Sequence, residues 1–307
     1  MTKPRTYVDA PSFTPLPYGL LSSMADVIRR PSDSHWQFGV NYQPVCAEGA
    51  TTFGDCFAVS GTGLAPVGEP PSKAATASVG LRGATSFTVY SEVDCSPVGF
   101  WDDATNIIGN TFTQSEQWQV ENALWTGVAG GQLVVFPHLA EDTAVVDEFG
   151  VTLQTAATAV SGLSTPLDIV EGLGQLEKAL ADCYDGVGII HAPRDLIAPM
   201  AEANLIVQEG PRYRTMGGNI VVFGAGYRGT SPSGTSASGQ TWMYATGAMF
   251  IYQSDVQVFQ KRDSLDRSDN TLKAIAERTY VLGWDCCHLA VNISTGGIAT
   301  GAVAAPN

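Results

Sequence analysis

Apolar positions are densest in the last third of the chain. Residues 219–223 (Ile220, Val221, Val222, Phe223) form an unbroken apolar run, which predicts a buried strand. A loop with Gly224, Gly226 and Gly229 follows, then a Ser/Gly/Thr stretch to Gln240. Residues 242–252 read as a second strand run with a turn at Gly247, and 276–280 and 284–293 as a long return. Upstream the period changes. Ser96 and Pro97 pair a capping residue with proline at a first helical position. Ala104, Ile107, Ile108, Phe112, Ser115, Gln119, Asn122 and Ala123 broadly follow helical spacing, with Trp118 and Trp125 beside them and Gly127 as a stop. The stripe is mixed, so a break near Gly109 is open. If continuous, the helix is about 45 Å long. A second helix opens at Thr165 and Pro166, with Asp168 at capping-box spacing. Its face is Leu167, Val170, Leu173, Leu176 and Leu180, and Gly186 ends it. Short strands at 132–136, 187–191 and 205–207 and a short helix at 193–203 complete a mixed middle.

The first part of the chain has weaker order. Pro4, Pro11, Pro15 and Pro17 interrupt residues 1–24, which read as an extended arm. A short amphipathic turn with Leu20, Leu21, Met24 and Val27 follows, then an extended stretch at 36–45. Residues 46–90 are a long excursion with strand-like ends at 56–59 and 87–90. Between them lies loop chemistry: Gly61, Gly63, Pro66, Gly68, Pro70 and Pro71. A connection of that length inside a compact monomer is unusual and suits burial by a partner. The fold class is α+β.

Composition sharpens this. The chain has 307 residues, 33 of them Gly, with only 15% charged and a net charge of −14. Between residues 90 and 210 only Lys178 and Arg194 oppose a long series of acids. No basic face for specific nucleic-acid binding is visible. Residues 1–6 lack the apolar core of a signal peptide, and no run reaches membrane-spanning length. Cys46, Cys56, Cys95, Cys183, Cys286 and Cys287 contain no C-x-x-C pair, so we expect reduced, mostly buried thiols.

The candidate chemistry is thin. Gly224, Gly226 and Gly229 have the spacing of a dinucleotide fingerprint, and Asp255 follows the next strand. Yet residues 230–239 hold Pro232, two glycines and no apolar stripe, so no helix is there to present its amides to a pyrophosphate. We expect a hairpin loop. His35, His138, His191 and His288 lack a local nucleophile and carboxylate, and we expect structural or interfacial roles. Ser231, Ser233, Ser236 and Ser238 lie in a loop, not a nucleophile elbow. Asp102–Asp103 and Asp147–Glu148 read as solvated acids. No metal motif is present, and no cofactor is implied. Glu277 and Arg278 sit in an extended apolar segment and read as ion-pair partners, within the chain or between subunits.

Taken in order, these segments resemble the HK97-type major capsid protein of tailed dsDNA phages, whose fold encapsulin shells share. The resemblance implies an N-terminal arm (1–45), an E-loop hairpin (46–90) and a peripheral domain (91–155) with a spine helix at about 97–127. It further implies an axial domain (156–262) with the helix at 166–184 and strands near 190, 220 and 250. A return to the peripheral domain and a tail (263–307) follow, with strands at 276–281 and 289–293. The implied function is structural, not enzymatic: hexamers and pentamers of an icosahedral head around dsDNA, which is contacted non-specifically, assembled in the host cytoplasm. Portal, scaffolding and decoration proteins are the further partners implied. Lys73, Arg82, Arg228, Glu277 and Arg278 are the expected intersubunit contacts. Some members of the family cross-link covalently, for which Lys73, Asn292 and Glu277 are the conceivable residues here. An encapsulin-like compartment, another phage structural protein and a dinucleotide-binding enzyme are the alternatives.

Overall fold

A computed structural model describes residues 13–45, 57–60, 63–66, 80–95, 101–160, 165–260 and 272–295. Its helices are α1 (Leu20–Ser23), α2 (Trp101–Thr126), α3 (Ile169–Cys183) and α4 (Ile197–Glu202). Two large sheets organise the chain. The first has seven strands in the order Thr158–Ala159, His288–Ser294, Gln240–Thr246, Ile189–Pro193, Ile220–Gly224, Arg212–Thr215 and Ile206–Glu209. The second is built on the long strand Leu272–Trp284. Ser86–Cys95 pairs along one side of it, Met249–Gln253 and Gln257–Gln260 along the other, and Ile28–Arg29 adds to Met249–Gln253. A small sheet joins Val40–Tyr42, Arg82–Ala84, Thr152–Gln154 and Val145–Val146.

Strand alternation explains why the central strands read as continuous apolar runs. In the seven-stranded sheet Ile190, Ala192, Val221, Phe223, Met243 and Ala245 face α3, whose Leu173, Leu176 and Leu180 are buried against them. The intervening Ile189, Val222, Trp242, Tyr244 and Ala290 face the larger core, which they share with Ile108, Phe112, Val120, Leu124 and Trp125 of α2. That helix lies across the second sheet, over Phe87, Val89, Ala274, Ala276 and Tyr280. It therefore packs against both sheets, and each of its buried large side chains contributes about 2 kcal/mol to their union.

Several boundaries differ from the sequence reading. The long helix runs unbroken through Gly109, and its far end is set at Gly127, whose φ is +74°. Its expected start at Ser96 and Pro97 lies outside the described residues. The expected strand-like ends of the 46–90 excursion are strands, Phe57–Ser60 and Ser86–Cys95, and most of the segment between them lies outside the described residues. α3 begins after Asp168, whose carboxylate accepts from the amides of Val170 and Glu171, so Asp168 rather than Thr165 is the cap. Residues 34–38 are a 3-10 turn rather than extended. The expected single run at 242–252 is two strands in two different sheets, parted at Gly247 and Ala248. The strand near 250 belongs with the long strand and α2, and the strand at 288–294 belongs to the seven-stranded sheet. Cys183 and Cys287 form a disulfide, and Cys286 is also disulfide-bonded, against the expectation of reduced thiols. A sequence separation of 104 hides this contact, which is made only when α3 folds back over the turn at 285–287.

Candidate assembly site

The glycine motif finds its explanation at α2. Glu121 on that helix is fully buried. Its Oε1 accepts from the Leu20 amide at 2.9 Å and its Oε2 from the Gly226 amide at 2.9 Å; the Ala225 amide also points to it. One carboxyl thus holds the entry of α1 and the glycine loop against the long helix. A Cβ on Gly226 would collide with the Trp118 carbonyl oxygen and come within 2.8 Å of the Asn122 nitrogen. Gly229 has φ +65° and no room beside Thr241. These glycines let the loop approach a helix side-on. No helix N-terminus follows them, so the amides that would cradle a phosphate instead serve Glu121. Burial raises the Glu121 carboxyl to about 7, and the three amides hold it from going higher.

Beside this junction lies a polar chain in the core. His191 meets the Tyr227 hydroxyl at 2.9 Å and the Thr246 hydroxyl at 3.2 Å. Trp125 packs on Tyr227 and Tyr244, and its Nε1 donates to the Thr230 hydroxyl at 2.8 Å. Burial lowers His191 to about 3, so it is neutral at ordinary pH. His288 faces the carbonyls of Thr155 and Leu139, each at 2.8 Å. Two acceptors favour its protonated ring, but burial wins and lowers it to about 4. His138 is buried between the Val135 carbonyl and Glu141. His35 is exposed and pairs with Asp33. Three of the four histidines are thus core fasteners, bonded among the described residues to Tyr227 and Thr246, to backbone carbonyls, or to Glu141. Among the described residues no group of three His, Cys, Asp or Glu could hold a metal ion, and no helix is long and apolar enough to cross a membrane.

The expected contact residues do not converge. Lys73 lies outside the described residues. Arg82 is half-buried and donates to the Asp285 carbonyl at 2.7 Å, beside Tyr42, whose hydroxyl donates to the Trp284 carbonyl. Arg228 is exposed; its Nε donates to Asn122 at 2.7 Å and its guanidinium lies 4.9 Å from the Trp118 ring centre. Glu277 and Arg278 point to opposite faces of the long strand, as neighbours in a strand must. Arg278 donates to Glu116 of α2 at 2.8 Å, and Tyr280 donates to the same oxygen at 2.6 Å. Glu277 is half-buried on the face away from α2, opposite Tyr90 and Gln257. Asn292 is buried inside the seven-stranded sheet with its amide on Gln240, and Glu277 belongs to the other sheet.

Sequence reasoning missed Glu121 and Glu116. The available signal for Glu121 was a lone acid inside the apolar segment 120–125. Large apolar side chains also stand in solvent: Phe38, Val45, Phe149 and Met216 are each more than two-thirds exposed. Scattered single cases need no partner, but Phe38 and Phe149 are almost wholly bare and each is a large aromatic surface.

No protein-family model matches the chain, and no curated protein is similar to it in sequence. Solved structures are similar to it in fold. The capsid of an empty GTA particle, computed with C5 symmetry, is 12% identical with a TM-score of 0.54, over 95% of this chain and 94% of that one. The capsid of the native GTA particle gives 11% and 0.52, over 95% of each. A structure from Microbacterium phage Oxtober96 gives 14% and 0.54, over 94% and 95%. At these identities the likeness is one of fold. The chain has an α+β capsid-type fold across nearly its whole described length, in agreement with the resemblance read from its sequence.

Proposed function

We propose that this chain is a major capsid protein, a structural subunit rather than an enzyme, that assembles into the hexamers and pentamers of an icosahedral phage-type head enclosing dsDNA. The observation that carries the reading is the shared fold with GTA capsid chains over about 95% of both partners. Such breadth leaves no sizeable part of the chain over for a separate catalytic domain. The chain's own physics supports it. The glycine motif that offered the enzyme alternative is occupied by Glu121 and α2. Rings of identical subunits use heterologous contacts, in which one patch meets a different patch on the next copy. Exposed Phe38 and Phe149 are apolar surface suited to burial in such contacts.

In this reading residues 46–90 lie over a neighbour and the N-terminal arm latches another. Arg228 and Glu277 sit where a neighbouring copy can reach them, and Lys73 acts from the excursion. Arg82 and Arg278 commit their bonds to their own chain. The head forms in the host cytoplasm and holds DNA without sequence recognition, since a net charge of −14 repels phosphates. Size-exclusion chromatography with light scattering, followed by negative-stain imaging of the same fraction, tests the proposal. Closed shells or five- and six-membered rings are the expected result. A chain that stays monomeric or dimeric at high concentration and in every salt condition would overturn it.

A further inference from the structure

We propose that the Cys183–Cys287 bond is a redox-operated staple, closed by oxidation once the fold has formed and opened again by reductant. It would fix the C-terminal end of α3 to the turn at 285–287. Four observations lead there. First, α3 is docked without any help from sulfur: Asp168 caps its start, and Leu173, Leu176 and Leu180 bury its face against Val291 and Ile293. Second, its other end is electrostatically weak. The last turn contains no basic residue, Asp182 lies in it and Asp185 just beyond, where the partial negative charge of the helix terminus disfavours acids. Lys178 reaches Asp182 at 2.6 Å, but both side chains are largely exposed and add little. The covalent bond sits at this weak end. Third, Cys287 occupies φ +67°, a conformation costly for any residue with a Cβ. A turn that needed only the conformation would favour Gly or Asn; a cysteine there supplies a sulfur. Fourth, the Cα atoms are 6.0 Å apart, within the range a disulfide spans without backbone movement, and Cys183 is only half-buried. Small thiols can therefore reach the pair.

With a small disulfide such as oxidised glutathione as oxidant, the exchange balances. The Cys183 thiolate attacks one glutathione sulfur, forming a mixed disulfide and releasing one glutathione thiolate. The Cys287 thiolate then attacks the Cys183 sulfur and expels the second. Two electrons pass from the protein sulfurs to glutathione, and the two cysteine protons end on the two glutathione thiols. The proposal does not depend on shell formation.

The test uses the full chain, once equilibrated with oxidised glutathione and once with a phosphine reductant. Peptide mapping without reduction reads the bond, and hydrogen exchange at 180–186 reads the helix end. A Cys286→Ser variant removes the other disulfide from the comparison. The expected result is a linked peptide containing Cys183 and Cys287 in both oxidised proteins and none after reduction. Exchange at 180–186 should be slowed several-fold by oxidation, and the oxidised Cys286→Ser protein should melt roughly 5 °C above its reduced form. Cys183→Ser should abolish the redox response at 180–186. Absence of the linked peptide after oxidation, or identical exchange in the two states of the wild type, would overturn the proposal even if the Cys183→Ser chain fails to fold.

Discussion

Glu121 is a single carboxyl on which three chain segments meet, and its loss should be felt in all of them. Glu121→Ala leaves the Leu20, Ala225 and Gly226 amides without their acceptor in a closed core, at a cost of about 3 kcal/mol. Urea denaturation measures it. The charge on this group carries a pH signature. Its folded pKa, about 7, lies above the ordinary value of 4.5, so the folded state holds the proton more tightly. The stability it contributes is complete below about 4.5, declines as pH rises towards 7, and is gone above that; the span is roughly 3 kcal/mol at most. The buried His191 and His288, both lowered, have the opposite dependence over much of the same range. The informative quantity is therefore the difference between wild type and Glu121→Gln, which should fall from pH 5 to pH 8. A flat difference would mean that Glu121 is already ionised in the folded state at pH 5. Gly226→Ala tests the close approach itself. A Cβ driven into helix backbone should cost about 2 kcal/mol and raise proteolytic cleavage at 225–240. In the sequence, the spacing of Gly224, Gly226 and Gly229 was plain, but their purpose was not. Their partner is 105 residues away, and one glycine pattern serves a phosphate or a helix equally well.

Among the elements, the long strand and α2 are joined by a half-buried polar clamp. Arg278 and Tyr280 both donate to Glu116, and the Arg278 and Glu116 side chains are only 14% and 12% exposed. Arg278→Met should destabilise by about 2 kcal/mol because it leaves the Glu116 charge with the Tyr280 hydroxyl but without its cationic partner, whereas pairing it with Glu116→Gln should recover much of that loss. A double-mutant cycle in urea decides it. The sequence flagged Glu277 and Arg278 as a unit, but strand geometry separates them and gives only Arg278 a partner on α2. Helices were legible because capping residues and a 3.6-residue period are local signals; for α3 the cap is Asp168 rather than Thr165, and of the expected apolar face Leu167 precedes the helix and Val170 is exposed. Strand runs were legible as strands but not as members of a sheet. Nothing between 242 and 252 except Gly247 marks the place where the chain leaves one sheet for the other, because apolar residues continue on both sides.

For the whole molecule, order along the chain supported the capsid resemblance, while the sheet to which each strand belongs was not legible in it. A subunit with a net charge of −14 repels its copies, so association should be favoured by salt. Light scattering at fixed protein concentration should show larger assemblies at about 0.5 M salt than at about 0.05 M, where the screening length is about three-fold longer. Larger assemblies at low salt would point instead to attraction between opposite charges at the contacts.

The same two segments are neighbours in both large sheets. Gln240–Thr246 pairs with His288–Ser294 in one, and Met249–Gln253 with the end of Leu272–Trp284 in the other. Where they pass between, the Gly247 amide donates to the Cys286 carbonyl and the Asp285 amide to the Ala248 carbonyl, each at 2.8 Å. Mechanically the sheets are two plates on a common two-ply axle. A torque that tilts one plate against the other loads the dihedrals at 247–248 and 285–287, where the cross-bonded plies turn together. The sulfur bridge at Cys287 acts as a brace bolted to that axle, so oxidation would stiffen this junction between the two sheets.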